Sequence, residues 1–225
     1  MQINLEAHGE FPDGPLFKAF SKMEYAEAFI KEGCFRMGSL NNYRSIEDGE
    51  RRDAFEGHGH IRVPGQVVRA HFKVDDPDYF DTTEGPGHRD VHTEIGNPIY
   101  IFSTSLPQVD LRYLKSKFGQ FIVQIDAPKQ LAIDITEHLK RRPEKYAGGI
   151  EGSFVSYNRG EVVDRELDSV ERTYLSYSQK SIDFSDEHEF RFVAINMDRP
   201  SEREIHDYLE IDLGGPVPYA RIIEV

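Results

Sequence analysis

An apolar run, Phe190-Arg191-Phe192-Val193-Ala194-Ile195, begins directly after the charged string Glu187-His188-Glu189, and a second, Pro98-Ile99-Tyr100-Ile101-Phe102, leads into Ser103-Thr104-Ser105. Short runs rich in β-branched and aromatic residues pack as strands, and a strand sends residues i and i+2 to one face. Glu187, Glu189 and Arg191 are therefore expected together, with His188, Phe190, Phe192 and Ala194 facing the other way. That is a charged face backed by an apolar one. Two carboxylates on such a face fit glycosidic-bond chemistry, one stabilising an oxocarbenium ion and the other activating the nucleophile. Arg191 beside Glu189 favours its ionised form. The plainer alternative is a surface strand whose Glu189 and Arg191 form ordinary ion pairs.

The remaining periodicities predict one α+β domain over residues 1–225 with a mostly antiparallel or mixed sheet, because several strands are separated by few helices. A strand over 15–20 precedes a helix capped by Ser21, with Met23, Ala26, Phe29 and Ile30 at helical spacing, and Gly33 stops it. A strand follows over 35–40. Further strands are expected over 66–74, 119–125, 153–157, 161–163, 189–195, 208–213 and 220–225. A helix is expected over 127–141, started by Pro128, while 167–177 fits either a helix or a strand. Residues 75–96, rich in Asp, Pro, Gly and His, read as a long loop that covers the site or contacts a target.

The net charge of −13 argues against a groove that binds nucleic acid by neutralising phosphates. It also admits an antitoxin or regulator with a basic surface as a partner. The one cysteine, Cys34, excludes an internal disulfide and reads as a small buried hydrophobe. No apolar run approaches the roughly 18 residues of a membrane span and the N-terminus lacks a secretory pattern, so a cytoplasmic protein with no membrane contact is expected. His58 and His60, with His88, Asp90 and His92, offer nitrogen and oxygen ligands for a metal-dependent alternative. Loop or surface histidines are the plainer account.

Three stretches in order resemble the ADP-ribosyltransferase fold: Leu16-Phe17-Lys18-Ala19-Phe20 before a helix ending in Gly33, then Ser103-Thr104-Ser105, then Glu187-His188-Glu189. The chain also resembles a group of bacterial domains sometimes found beside phage-defence genes. That likeness rests on Phe17-Lys18, residues 52–57, 102–105 and 120–126, and Lys180 followed by residues 187–191. The resemblance implies NAD as substrate, with Glu189 on the nicotinamide ribose, Glu187 serving the acceptor and Ser103 holding Glu189. Lys18 stands where that family has arginine or histidine, and lacks arginine's fork. Thr104 and Arg191 join the implied NAD-binding set. Arg44 and Arg52 are expected to clamp the pyrophosphate and Tyr43 to stack on a ring.

The reading is thus an NAD-consuming ADP-ribosyltransferase or NAD glycohydrolase, with a toxin or phage-defence role implied by the resemblance. Its acceptor is a protein, a nucleic acid, a small molecule or water. A nucleotide-binding module of the same fold without activity is the alternative.

Overall fold

A computed structural model describes residues 7–45, 57–64, 68–70, 80–82, 88–94, 98–142, 145–146, 149–162, 169–197 and 207–225. After strand β1 (Ala7–Gly9), the expected strand, helix, strand unit is present as β2 (Leu16–Phe20), α1 (Met23–Glu27) and β3 (Cys34–Ser39). The helix is capped at Lys22 rather than Ser21, without a side-chain bond, and its last turn loosens to π geometry over Ala28–Glu32. Gly33 ends it at φ 71, a left-handed conformation that favours glycine. A Cβ there would also lie 2.4 Å from the Gly215 carbonyl oxygen.

Helix α2 (Leu40–Ser45) follows, then β4 (His58–Pro64), β5 (Val68–Ala70), β6 (Phe80–Thr82) and β7 (His88–Glu94). The loop expected over 75–96 is corrected by β6 and β7. β7 pairs antiparallel with β4 in a separate two-stranded ribbon, and β5 pairs with β6. β6 and β7, read as Phe80-Asp81-Thr82 and His88-Arg89-Asp90-Val91-His92-Thr93-Glu94, carry little apolar patterning, and neither ribbon belongs to the large sheet. Of the strand expected over 66–74, only β5 falls among the described residues.

The second half runs β8 (Ile99–Ser105), α3 (Leu111–Phe118), β9 (Phe121–Ile125), α4 (Pro128–Leu139), β10 (Ile150–Phe154), α5 (Ser169–Ser178), a 3-10 turn over Ile182–Glu187, β11 (Glu189–Ile195), β12 (Tyr208–Asp212) and β13 (Ala220–Ile223). Of the stretch 167–177, the described residues from Ser169 on belong to the helix α5. Of the strand expected over 161–163, Val162 makes one isolated bridge to Arg62. Helix α3 has no counterpart in the predicted elements, although Asp110 caps it by accepting the Arg112 N–H.

The fold is α+β with a large mixed sheet in the order β1-β10-β11-β8-β2-β9-β13, and β3 joins β8 to β12. Among the described strands of this sheet, β1 and β10 pair in parallel and the other pairs are antiparallel. On one face Tyr100, Phe102, Phe190, Phe192 and Ala194 pack with Phe29 of the first helix and with Leu131, Ala132 and Ile135 of α4. Each of the buried Phe, Leu and Ile side chains contributes about 1.5–3 kcal/mol by leaving water. On the other face Ile99, Ile101 and Val193 meet Leu40 and Tyr177 in a smaller cluster. No helix among the described residues is long and apolar enough to cross a membrane.

Two strands compete for one edge of β8, and this shapes the site. β2 reaches it only where Phe17 lies opposite Ser105, while β3 takes Ile101 and Tyr100 further along. The sheet therefore forks between them.

Candidate functional site

The cleft of about 220 Å³ opens at this fork, lined by Phe17 and Lys18 from β2, Tyr43 from α2, Ser103 from β8, and Glu187, Glu189 and Arg191 around the start of β11. Its polarity follows from the sequence of one sheet face. Along β8 the alternating positions change from Ile99 and Ile101 to Ser103 and Ser105, and their partners on β11 change from Ile195 and Val193 to Arg191 and Glu189. The apolar cluster thus passes into a charged floor within one strand length.

Glu189 and Arg191 share this face as their spacing predicts. Glu187 does not belong to the strand, which corrects the expected three-residue alignment. It ends the 3-10 turn, and His188 turns the chain at φ 43 and ψ 51. His188 is the one non-glycine residue at positive φ among those described, a costly conformation found where the surroundings enforce it. Its carbonyl accepts the Leu106 N–H at 2.7 Å, which ties the turn to the end of β8.

Four donors reach the Glu189 carboxylate. Ser103 Oγ and Arg191 Nε (2.9 Å) donate to Oε1, while Arg191 Nη2 (3.1 Å) and Lys180 Nζ (2.8 Å) reach Oε2. A carboxylate offers about four acceptor sites, so this one is saturated. Burial alone would raise its pKa, but Arg191 first and Lys180 next outweigh that and hold it well below the usual carboxylate range. Arg191 Nη1 donates to the Tyr177 carbonyl at 2.7 Å, so the guanidinium is fixed on both sides.

Glu187 accepts from Lys180 Nζ at 2.7 Å through Oε2 and from Lys117 Nζ at 3.1 Å through Oε1. About two of its acceptor sites remain for a ligand. Lys180 therefore bridges both glutamates, and all four partners Lys180, Glu187, Glu189 and Arg191 are buried. Lys117 also donates to the Tyr113 hydroxyl at 2.8 Å. Burial lowers its pKa, yet the Tyr113 and Glu187 contacts prevail and raise it. The Glu189 N–H donates to Tyr157 Oη at 2.7 Å, and burial pushes the Tyr157 hydroxyl pKa up.

Lys18 makes a different contact. Its ammonium donates to the Ser103 carbonyl at 2.8 Å, in the gap where β2 leaves β8, and sits 4.8 Å from the centre of the Phe102 ring. Burial lowers its pKa to about 8 against the pull of Glu189. With Lys117, four cationic side chains meet two carboxylates among the described residues at this end of the sheet. The local balance is positive in a chain of net charge −13.

The fork thus brings together Lys18, Tyr43, Ser103, Thr104, Glu187, Glu189 and Arg191. Thr104 spends its hydroxyl on the Phe190 carbonyl at 2.9 Å. Arg44 lies on α2 with its side chain outside the described residues, and Arg52 is outside them altogether. Cys34 is half-buried at the start of β3 rather than fully buried, and burial raises its thiol pKa.

The register places His60 opposite His92 and His58 opposite Glu94, but the side chains of His88, Asp90 and His92 are outside the described set. Among the described residues no three histidine, cysteine or acidic side chains group to hold a metal.

Lys180 and Lys117 are the site residues that motif reading missed. Lys180 had a place in the family likeness without a role. Lys117 carries no local signal, because it reaches Glu187 from α3, 70 positions earlier in the chain. No protein-family model, curated protein or solved structure matches this chain in the comparisons made.

Proposed function

We propose that this protein consumes NAD, breaking the bond between nicotinamide and ribose and passing the ADP-ribosyl group to an acceptor or to water. One observation carries the reading: Ser103 donates to the Glu189 carboxylate in a cleft that Glu187 also lines. Ionised Glu189 stands beside the sugar as positive charge develops on it, and losing such a preorganised group typically costs about 3 kcal/mol of transition-state stabilisation. Glu187, with acceptor sites to spare, takes the proton of the incoming hydroxyl or water. Lys18 and Lys180 face the pyrophosphate as point charges, and Tyr43 offers a ring face at the cleft wall. An activity of this kind suits a toxin or phage-defence effector held by an antitoxin or regulator in the cytoplasm.

A second reading, a module of ADP-ribosyltransferase-like fold that binds a nucleotide without turning it over, is favoured by the saturation of Glu189. A carboxylate held by an arginine, a lysine and a serine has no lone pair left for a ribose hydroxyl unless one donor moves. Incubating the protein and its Glu189→Gln variant with NAD and cell lysate separates the two. Nicotinamide release by wild type alone supports the enzyme, and the labelled fraction names the acceptor class. NAD binding without release by either supports the module.

A further inference from the structure

Among the described residues three lysine ammonium groups gather at the fork, and one of them, Lys18, has no carboxylate partner there. Lys117 pairs with Glu187, and Lys180 pairs with both Glu187 and Glu189. Lys18 instead donates one hydrogen bond to a backbone carbonyl and rests against the Phe102 ring. An ammonium in that position has two N–H groups unspent and a low-dielectric wall behind it. Its side chain lines the cleft, so a ligand reaches it.

An amine becomes a nucleophile when its environment disfavours the charged form, as in lysines that form imines with carbonyl compounds. Burial lowers the Lys18 pKa to about 8. At pH 7.4 about a fifth of such an amine is neutral, against about a tenth of one percent for an ordinary lysine. The charged groups around it among the described residues are Glu189 and Arg191 on β11, Glu187 at the end of the 3-10 turn, Lys180 just before that turn, and Lys117 on α3, which packs on β2. Their net positive charge draws an anion toward the same spot.

We propose that Lys18 is a covalent capture site for the carbonyl group of a phosphorylated aldehyde or ketone. The neutral amine attacks the carbonyl carbon, forming a C–N bond as the C=O electron pair moves to oxygen. A proton passes from nitrogen to that oxygen, water leaves, and the product is an imine. The step is a condensation with no change of oxidation state. It needs no NAD turnover, so it holds or fails independently of the reaction proposed above.

Pyridoxal 5′-phosphate is a suitable probe, with borohydride to fix the imine and peptide mass spectrometry to locate it on the full-length chain. Lys22 and Lys31, each exposed and paired with a glutamate, serve as internal references. Lys18 is expected to be labelled at least about tenfold faster than either, with a rate that climbs through a midpoint near pH 8. Pyridoxal lacking the phosphate is expected to label it several-fold more slowly, and Lys18→Arg to abolish the adduct. Labelling of Lys18 no faster than Lys22 and Lys31 overturns the proposal, and so does equal labelling with and without the phosphate. Because the comparison lies within the wild-type chain, it stands even where the variant fails to fold.

Discussion

Arg191 grips Glu189, two residues before it on β11, with Nε 2.9 Å from one carboxylate oxygen and Nη2 3.1 Å from the other. Both side chains are buried. A pair of this kind contributes little net stability against an apolar substitute, yet breaking it strands a charge. Arg191→Met is expected to lower unfolding free energy by about 3–5 kcal/mol. The double variant Arg191→Met, Glu189→Leu should regain part of that loss, and chemical denaturation of the singles and the double measures the coupling.

Acid should weaken the fold through the same pair. Glu189 has a folded pKa below its unfolded value of 4.5, so its stabilisation is fully present above pH 4.5 and is lost as pH falls toward the folded pKa. Wild type should therefore lose about 1.5 kcal/mol more than Glu189→Gln between pH 4.5 and pH 3. Parallel stability curves for the two proteins over that window would count against the ionised, paired state of Glu189.

Alkali should act on Lys18 in the opposite sense. Its folded pKa of about 8 lies below the unfolded value of 10.5, so below pH 8 both states hold the proton and the folded state bears the whole cost of burying it. As pH rises from 8 to 10.5 the folded state releases the proton first. Wild type should gain on the order of 3 kcal/mol relative to Lys18→Met over that interval, read from paired denaturation curves.

Gly38 gives a way to disturb the cleft without touching its charges. A Cβ there would meet the Tyr43 ring at 2.9 Å, and Tyr43 lines the cleft. Gly38→Ala is expected to displace the ring and to weaken ligand binding by about tenfold, on the scale of one stacking contact of about 1–1.5 kcal/mol. Calorimetric titration with ADP-ribose reads the loss.

The strands of the site were legible as short runs rich in β-branched and aromatic residues. Residues 99–105 and 189–195 carry such runs, and the two-residue repeat of a strand put Glu189 and Arg191 on one face. Glu187 reached the same cleft by another path. The positive φ of His188 is enforced by its tie to Leu106 and leaves no mark in the string Glu187-His188-Glu189. β7 was hidden because its sequence from His88 to Glu94 holds one apolar residue, Val91, and it pairs with β4 outside the large sheet. Lys117 stayed hidden because only the packing of α3 brings it to Glu187. The fork that opens the cleft depends on β2 and β3 sharing one edge of β8, a fact of topology that periodicity does not contain.

Nicotinamide release from NAD under single turnover, by wild type and by Glu187→Gln, tests the central claim most directly. Glu187 keeps acceptor sites open to the cleft, so its loss should slow release by about a hundredfold, the scale of one general-base contribution, while ADP-ribose still binds. Equal rates from the two proteins, or no release from wild type in the presence of lysate, would contradict an enzyme built on this pair of glutamates.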